Sequence, residues 1–553
     1  MPEAFHPTPE QLRYLALLAE KYPTIAAASS EIINLEALSR LPKGTEHFMS
    51  DLHGENEAFI HILNSASGVI REKIDVVLGE GVPAAERAEL ATLIYYPVQK
   101  LPELKAKQSD LTAWYRKNLL WLIQLCRFVS SKHTRDHVRK CLPKYCGHII
   151  DELLHAHFED HDKDLYYGQI IDSIIRHDRA DAYITRFCEV IKRLAVDRLH
   201  IVGDLFDRGP RPDQILDRLM LHHDVDIQWG NHDVVWMGAA AGSPICILTV
   251  LKTTVAYNNL PTLENGYGIS LRGLDHLAEA FYADTDVEHW KPHLDPRTSP
   301  GADTIARAAR MHKAVTIMML KLEAQVIARN PDFQYQGRDY LNQIDYAAGT
   351  VRCGGKSYPL LDPVFPTVDP AYPSRLNPQE EQVLSDLVRS FTESERLQRH
   401  TQFLYAKGAV YKVCNGNLLF HGAVPMTEDG AFAAETFEGK SYSGKALFDY
   451  CDRRAREGYF AAPGSPERQA GQDFLWYLWC GRLSPIFGRS AMTTFERLYI
   501  ADKSTHTEVK NPYYRHIQSA ETADKILREF GLEGEGCHTV SYTHLTLPTN
   551  SRV

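Results

Sequence analysis

The pattern of apolar and polar positions predicts a core of short strands joined by polar loops. Short apolar runs typical of buried strands occur at 48–50, 199–202, 225–229, 409–413 and 417–420. Apolar residues recur with helical spacing from about Val69 to Arg193, and again from Ala302 to about Ala328. The chain is therefore predicted to have a strand-and-loop core that is interrupted by two large helical insertions.

These patterns divide the chain into six segments. They are N-terminal helices with a first polar motif (1–68), a helical insertion (69–196), a core segment with two further motifs (197–252), a second, mainly helical insertion (253–400), a continuation of the core with a fourth motif (401–538), and a tail (539–553). We expect the tail to be non-native, because its threonine- and serine-rich composition differs from everything before it.

The N-terminal segment carries a helix start. Thr8 can cap the helix, Pro9 suits its first position, and Gln11 can close a capping box. The apolar face of this helix would consist of Leu12, Leu15, Leu18 and Ala19. A second helix is predicted through about Leu38.

The longest uncharged run, Val234 to Leu251, has 18 residues and reaches the lower edge of membrane-spanning length. Glycine, serine and proline at 238–244 interrupt this run, so we predict two buried segments joined by a turn.

The N-terminus lacks the pattern of a signal peptide. The ten cysteines are scattered, and we expect them to be reduced. Together these features predict a cytoplasmic protein.

Composition excludes several classes of protein. Hydrophobic residues make up 44% of the chain and charged residues 24%, which excludes disorder as the dominant state. The net charge is −10, so neither nucleic acid nor an anionic membrane is expected to be a partner. An anionic substrate would need a local positive site, such as a metal ion or a few arginines.

Three segments share one design, an apolar strand followed by a loop rich in Asp, His and Gly, and a fourth segment is a weaker example. They are Ser50–Glu55, Gly203–Gly209, Gly230–Asp233 and Leu419–Pro425. Alternate residues of a strand point the same way, so Asp51 and His53 can face one point. Carboxylate, imidazole and amide ligands suit Mn, Fe or Zn in a two-metal site, in which Asp204 could bridge both ions.

Each of these segments alone also fits a purely structural role. Asp51 and His53 could form a solvated turn or a helix cap, and His421 could equally be a core histidine at a strand end. The second segment could be a turn with an Asp–Arg pair. The order and spacing of the segments together favour a catalytic site.

The four motifs resemble those of the calcineurin-like metallophosphoesterases, which include serine/threonine protein phosphatases. This resemblance implies an α/β fold, a four-layer αββα sandwich with metal ligands on loops at one edge. It implies two metal sites, formed by Asp51, His53 and Asp204 and by Asp204, Asn231 and His421. It also implies three catalytic residues, namely His232 as general acid, Asp207 to orient it, and Arg208 to hold phosphate oxygens.

Residues 1 to about 538 resemble the class III fructose-1,6-bisphosphatases. One ground for this resemblance is the long separation of 153 residues between Asp51 and Asp204. The other ground is the similarity of the segments 479–488, 492–497, 502–508 and 510–514 to that family. The resemblance implies hydrolysis of the 1-phosphate of fructose 1,6-bisphosphate in gluconeogenesis. It also implies dependence on Mn²⁺ in the two-metal site, with other divalent metals possible.

The second phosphate of such a substrate needs a cationic pocket. Arg482, Arg489 and Lys503 are the candidates, with Arg497 and Lys510 as further possibilities, and each could instead be an ordinary surface cation. The expected partner is therefore a small sugar bisphosphate. Whether the chain forms a homo-oligomer stays open.

The sequence departs from the family after Gly536-Cys537-His538, where family members continue into a Gly-His-x-Pro motif whose histidine is a further metal ligand. His544 does not match that motif. We therefore expect a truncated representative with impaired metal binding and stability.

Two other functions stay open. One is a phosphoprotein or dinucleoside-polyphosphate phosphatase with the same catalytic core, although the large insertions favour a small, enclosed substrate. The other is a non-catalytic sugar-phosphate binding protein, which would have no need for the predicted acid His232.

Overall fold

The computed structural model describes residues 7–155, 164–285, 288–294, 300–534 and 536–541. The chain forms two compact units. The first comprises Met1–Glu46 and Ile62–Asp197, and the second comprises His47–His61 and Arg198–Val553. Every site residue predicted from the sequence belongs to the second unit.

The part of the chain before residue 197 is mainly helical, in agreement with its periodicity. Its helices are α1 (Pro9–Lys21), α2 (Ile25–Leu38), α3 (Asn56–Ser65), α4 (Val69–Leu78), α5 (Ala84–Tyr95), α6 (Pro97–Lys105), α7 (Leu111–Ser130), α8 (Arg135–Cys141), α9 (Gly147–Leu154), α10 (Asp164–Arg176) and α11 (Ala180–Ala195), with a 3-10 turn at Ala66–Gly68.

The core of the first unit forms around α7 and α11, whose apolar faces are buried together with residues of α4, α5 and α9. Thr8 caps α1 and Gln11 closes the capping box, as predicted. The predicted apolar face of α1 is not buried, since Leu12 and Leu15 are 54% and 43% exposed. The pattern identified the helix correctly but did not say whether its face would be covered.

The strands are short and dispersed along the chain. They are β1 (Glu46–Met49), β2 (Arg198–Val202), β3 (Val225–Gln228), β4 (Ile344–Asp345), β5 (Thr350–Cys353), β6 (Lys356–Pro359), β7 (Gly408–Ala409), β8 (Tyr411–Cys414), β9 (Asn417–Phe420), β10 (Glu435–Phe437), β11 (Lys440–Tyr442) and β12 (His538–Val540).

Two sheets form the core of the second unit. The first has the order β1-β2-β3-β7, with β2 parallel to β3 and β3 parallel to β7. The second has the order β12-β9-β8, with a β8–β9 hairpin and β12 parallel to β9. Asp226 of β3 and Lys412 of β8 form an ion pair between the sheets at 2.7 Å. The α/β prediction is confirmed, and this arrangement agrees with an α/β sandwich.

The second unit is otherwise mainly helical. They are α12 (Pro212–Met220), α13 (Asn231–Ala240), α14 (Pro244–Ala256), α15 (Arg272–Tyr282), α16 (Ala302–Arg329), α17 (Pro378–Glu393), α18 (Glu395–Lys407), α19 (Gly444–Phe460), α20 (Pro466–Cys480), α21 (Thr494–Tyr499), α22 (Tyr513–His516) and α23 (Ala520–Glu529), with 3-10 or π turns at Thr262–Gly266, Glu288–Trp290, Pro331–Phe333, Tyr340–Gln343 and Lys503–His506.

The long uncharged run forms α13 and α14, both buried, with the break where glycine and proline predicted it. Among the helices that the structure describes, none is long and apolar enough to cross a bilayer. The structure adds a three-stranded antiparallel sheet, β4-β5-β6, inside the second insertion. Its strands are two to four residues long, which is too short for a recognisable alternation.

Residues 539–541 of the predicted tail are described, and Val540 pairs with Leu419 of β9. The remainder of that tail, including His544, lies outside the described residues.

Candidate metal centre and active site

The candidate site is built where strands end. Asp51 follows β1, Asp204 follows β2, Asn231 follows β3 and His421 follows β9. Loops after the carboxyl ends of parallel strands meet at one edge of a sheet, which explains why the Asp204 and Asn231 motifs converge at the ends of the parallel strands β2 and β3. Backbone hydrogen bonds join the first two loops. The N–H of Asp51 donates to the backbone carbonyl of Gly203 (3.0 Å), and the N–H of His53 donates to the backbone carbonyl of Asp204 (2.8 Å).

Asp204 lies at the centre of the site and is only 4% exposed. Its Oδ2 is 3.3 Å from Nε2 of His421 and 3.7 Å from Nε2 of His53. Nε2 of His53 is also 3.8 Å from Oδ1 of Asp51. Two groups of possible ligands share Asp204, one with Asp51 and His421 and the other with His53 and His232. Within each group the ligand atoms lie within 4.8 Å of one another.

Both central histidines are oriented for metal binding. Nδ1 of His53 donates to the carbonyl of Phe206 (2.9 Å), and Nδ1 of His421 donates to that of Val202 (2.8 Å). These bonds leave each Nε2 facing the carboxylates, where it can bind a cation when the ring is neutral. Nε2 of His53 is buried without a hydrogen-bond partner, which a polar atom avoids unless it has another ligand. The donor set therefore fits a divalent cation.

The electrostatics of the site favour charged forms despite burial. Burial opposes ionisation of Asp204, but the imidazoles of His421, His232 and His53 hold the pKa of its carboxyl well below the usual range. Burial likewise opposes a charge on His421, but Asp204 raises its pKa to about 10. In the metal-free chain a proton on His421 thus balances the carboxylate, and a cation could replace that proton.

A histidine–aspartate pair lies beside this centre. Nδ1 of His232 donates to Oδ2 of Asp207 (2.7 Å), and the indole of Trp236 donates to Oδ1 (2.9 Å). Asp207 therefore fixes the His232 ring with Nε2 as the second, reactive nitrogen. Burial opposes the charged ring, but Asp204 and Asp207 raise the pKa of His232. The sequence identified the pair but gave no signal for Trp236.

The remaining predicted residues lie around these groups. Asn231 begins α13 and is buried, and its amide has no hydrogen-bond partner among the described residues. Arg208 is exposed, and its carbonyl accepts a hydrogen bond from Asn259. Asp51, His53, Asp204, Asp207 and Arg208 all have positive φ, between 41° and 66°. Such strain in non-glycine residues is concentrated at functional sites.

Asp233 holds the loops in place, a role that motif spacing alone did not reveal. Its carboxylate accepts hydrogen bonds from the backbone N–H groups of Asp204 (2.9 Å), Leu205 (2.8 Å) and Gly230 (2.9 Å). Burial and the neighbouring Asp204 raise the pKa of Asp233 to about 7. Its position three residues after Gly230, at a helix start, is the signal that could have identified it.

Gly230 is predicted to be irreplaceable. A Cβ at this position would lie 2.1 Å from Oδ1 of Asp204 and 2.4 Å from its backbone nitrogen. Gly230→Ala should therefore displace Asp204 and lower phosphatase turnover at least 100-fold. Gly81→Ala is a suitable comparison for general glycine effects, because Gly81 has no positive φ and nothing lies within 4 Å of its Cβ position. Equal activity of Gly230→Ala and the unmodified chain would contradict the geometry.

The basic side chains predicted to bind the substrate differ in their surroundings. Arg482 contacts the buried carboxylate of Glu435 at 2.9 Å, and Arg489 contacts Glu508 at 3.2 Å. Lys503 is exposed in a 3-10 turn. Their roles in binding substrate stay predictions.

One carboxylate shared by two groups of ligand atoms, beside an oriented histidine, is typical of enzymes that hydrolyse phosphate esters with two cations. Comparison with known proteins agrees with this class. The Firmicute fructose-1,6-bisphosphatase family model matches residues 13–548, and the chain belongs to this family.

Curated relatives cover nearly the whole chain. The class 3 fructose-1,6-bisphosphatase of Clostridium novyi is 48% identical over 98% of this chain and 81% of its own length. That of Listeria innocua is 45% identical over 96% of this chain and 81% of its own length. No solved structure matches the chain significantly.

Proposed function

We propose that the chain hydrolyses fructose 1,6-bisphosphate to fructose 6-phosphate and phosphate, using divalent cations at the Asp204 centre. Family membership supports the substrate. The observation that supports metal-dependent hydrolysis is that Asp204 lies close to His53 and His421, whose Nδ1 atoms donate to backbone carbonyls. We further propose manganese as the metal, gluconeogenesis as the process and the cytoplasm as the compartment.

The ligands of the two cations would be Asp51, His53, Asp204, Asn231 and His421. Bound there, the cations would neutralise phosphate oxygens and lower the pKa of a water for attack on phosphorus. Hard carboxylate and amide oxygens combined with imidazole suit Mn²⁺.

The remaining residues of the site would bind phosphate and supply the proton. Arg208 is exposed beside the centre and would hold phosphate oxygens with its planar guanidinium. His232, whose pKa is raised by Asp204 and Asp207, would give its Nε2 proton to the leaving sugar oxygen. Asp207 would stabilise the charged ring and hold it in position while Trp236 anchors Asp207.

A phosphate-release assay tests this proposal directly. The purified chain is incubated with fructose 1,6-bisphosphate, a phosphopeptide or a dinucleoside tetraphosphate, with and without Mn²⁺. We expect manganese-dependent release from the sugar bisphosphate at a kcat/KM at least 100-fold above that of the other two. Preferential release from either alternative, or no release from any of the three, would contradict the proposed function.

Metal binding should depend on pH, because His421 must lose its proton before Nε2 can bind a cation. With its pKa raised to about 10 by Asp204, His421 is protonated in the metal-free chain at neutral pH. The apparent affinity for Mn²⁺ should therefore rise about tenfold per pH unit between pH 6 and 9. Calorimetry in buffers of different ionisation enthalpy should detect about one proton released at pH 7. An affinity independent of pH would contradict this assignment.

A further inference from the structure

A cavity lies next to the candidate active site, between α14, α16, α20 and the loop before α21. Its lining includes Thr249, Lys252, Glu323, Tyr340 and Trp479. The indole of Trp479 meets the ring of His232 edge to face, with 4.8 Å between ring centroids. Trp479 thus connects this cavity to the residue that would protonate the leaving group.

Lys252 is the unusual residue of this cavity. Its ammonium makes no hydrogen bond or ion pair with any residue that the structure describes, although the side chain is partly buried in the cavity wall. Burial lowers the pKa of Lys252 to about 8, while the charges of Asp207, Glu323, Arg497 and Glu508 also act on it. An enclosed ammonium without a partner lacks the compensation that buried charges normally have, and an anion would supply it.

Two arginines lie near the part of the cavity wall formed by Met492 and Thr494, on either side of Thr493. Arg489 lies 3.2 Å and Arg497 3.7 Å from the carboxylate of Glu508. Arg497 also donates from Nε to the hydroxyl of Thr493, and both the backbone N–H and the hydroxyl of Thr493 donate to Glu508. One carboxylate is therefore shared between two guanidinium groups and held in place by Thr493.

The charge of this cluster suits a phosphate monoester. Lys252, Arg489 and Arg497 carry three positive charges against the negative charge of Glu508. Asp207 is paired with His232 at 2.7 Å, and burial raises the pKa of Glu323 to about 7, so these two acids offset the positive surplus only in part. A dianionic phosphate would balance that surplus, and guanidinium groups bind phosphate oxygens with two parallel hydrogen bonds.

We propose that Lys252, Arg489 and Arg497 form the subsite for the 6-phosphate of fructose 1,6-bisphosphate, an inference that rests on the proposed function. Lys252 was not among the cations selected from the sequence. Arg489 and Arg497 were, whereas Arg482 is bound to Glu435, a carboxylate that also accepts from Gln334 and is only 1% exposed. The subsite would make the enzyme prefer a bisphosphate over a sugar with one phosphate.

The decisive variant is Lys252→Met, which removes the charge but keeps the length of the side chain and suits a buried helix. Binding of fructose 6-phosphate to the chain and to the variant is measured by calorimetry, and turnover is measured on fructose 1,6-bisphosphate and on fructose 1-phosphate. We expect a 10- to 100-fold weaker Kd for fructose 6-phosphate and a similar rise in KM for the bisphosphate. The kcat/KM for fructose 1-phosphate should change less than threefold, because that ester has no 6-phosphate.

Two further variants complete the design. Lys252→Arg should restore most of the bisphosphate preference, because it restores the charge. Lys445→Met, at a half-exposed lysine of α19 that pairs with Asp449, should leave all constants unchanged.

The possible outcomes separate the two proposals. Equal losses on both substrates, or an unchanged Kd for fructose 6-phosphate, would overturn the subsite. If the unmodified chain hydrolyses neither ester, the proposed function fails, and the fructose 6-phosphate titration still decides whether the subsite exists.

Discussion

Asp204→Asn is expected to lower turnover of fructose 1,6-bisphosphate about 10⁴-fold. Asp204 is the one carboxylate common to both candidate ligand groups, and its Oδ2 faces the Nε2 atoms of His53 and His421. An asparagine offers a single neutral oxygen in place of two anionic ones, so it should not hold two cations together. A 10⁴-fold loss corresponds to about 5 kcal/mol of transition-state stabilisation, a magnitude that loss of metal catalysis can explain.

The variant should be assayed together with its metal content. Elemental analysis after equilibration with Mn²⁺ should show fewer than one ion per chain for Asp204→Asn. Asp386→Asn is a matched control, because Asp386 is half-exposed on α17 and, among the described residues, pairs only with Arg389 and Gln382. The account would be wrong if Asp204→Asn retained two ions and more than a tenth of the activity.

His232→Gln is expected to have the second largest effect, and the effect should depend on the leaving group. A sugar alkoxide is a poor leaving group and needs a proton, whereas p-nitrophenolate does not. Turnover of fructose 1,6-bisphosphate should therefore fall about 10³-fold, while hydrolysis of p-nitrophenyl phosphate should fall less than tenfold. The ratio of these two losses is the quantity to measure.

Asp207→Asn tests the contribution of the second residue of the His232–Asp207 pair. It leaves His232 in place but removes the carboxylate that orients and charges the ring, so a smaller loss of about 100-fold is expected on the sugar substrate. Equal losses on both esters for His232→Gln would show that His232 acts as a metal ligand and not as the acid. The group that His232 forms with His53 and Asp204 makes this distinction necessary.

Local pattern was sufficient to predict much of the fold. The strand ends before Asp51, Asp204 and Asn231, the capping box at Thr8 and the break between α13 and α14 all follow from short-range rules, and the structure contains each of them. The convergence of the motifs also follows physically, because loops at one edge of a sheet are close whatever their separation along the chain.

Features that depend on tertiary packing could not be predicted in this way. Whether the apolar face of α1 is covered depends on what other elements reach it, and helical periodicity contains no such information. The partners of Arg482 and the isolation of Lys252 likewise depend on distant residues such as Glu435. Trp236 was undetected because a buried tryptophan is ordinary until its indole N–H is seen on Asp207.

Anomalous diffraction at the manganese edge from crystals soaked in Mn²⁺ tests the central claim most directly. The account predicts two peaks roughly 3.5–4 Å apart, with Asp204 between them and Nε2 of both His53 and His421 in bonding distance. A single peak away from Asp204, or no peak at all, would contradict it.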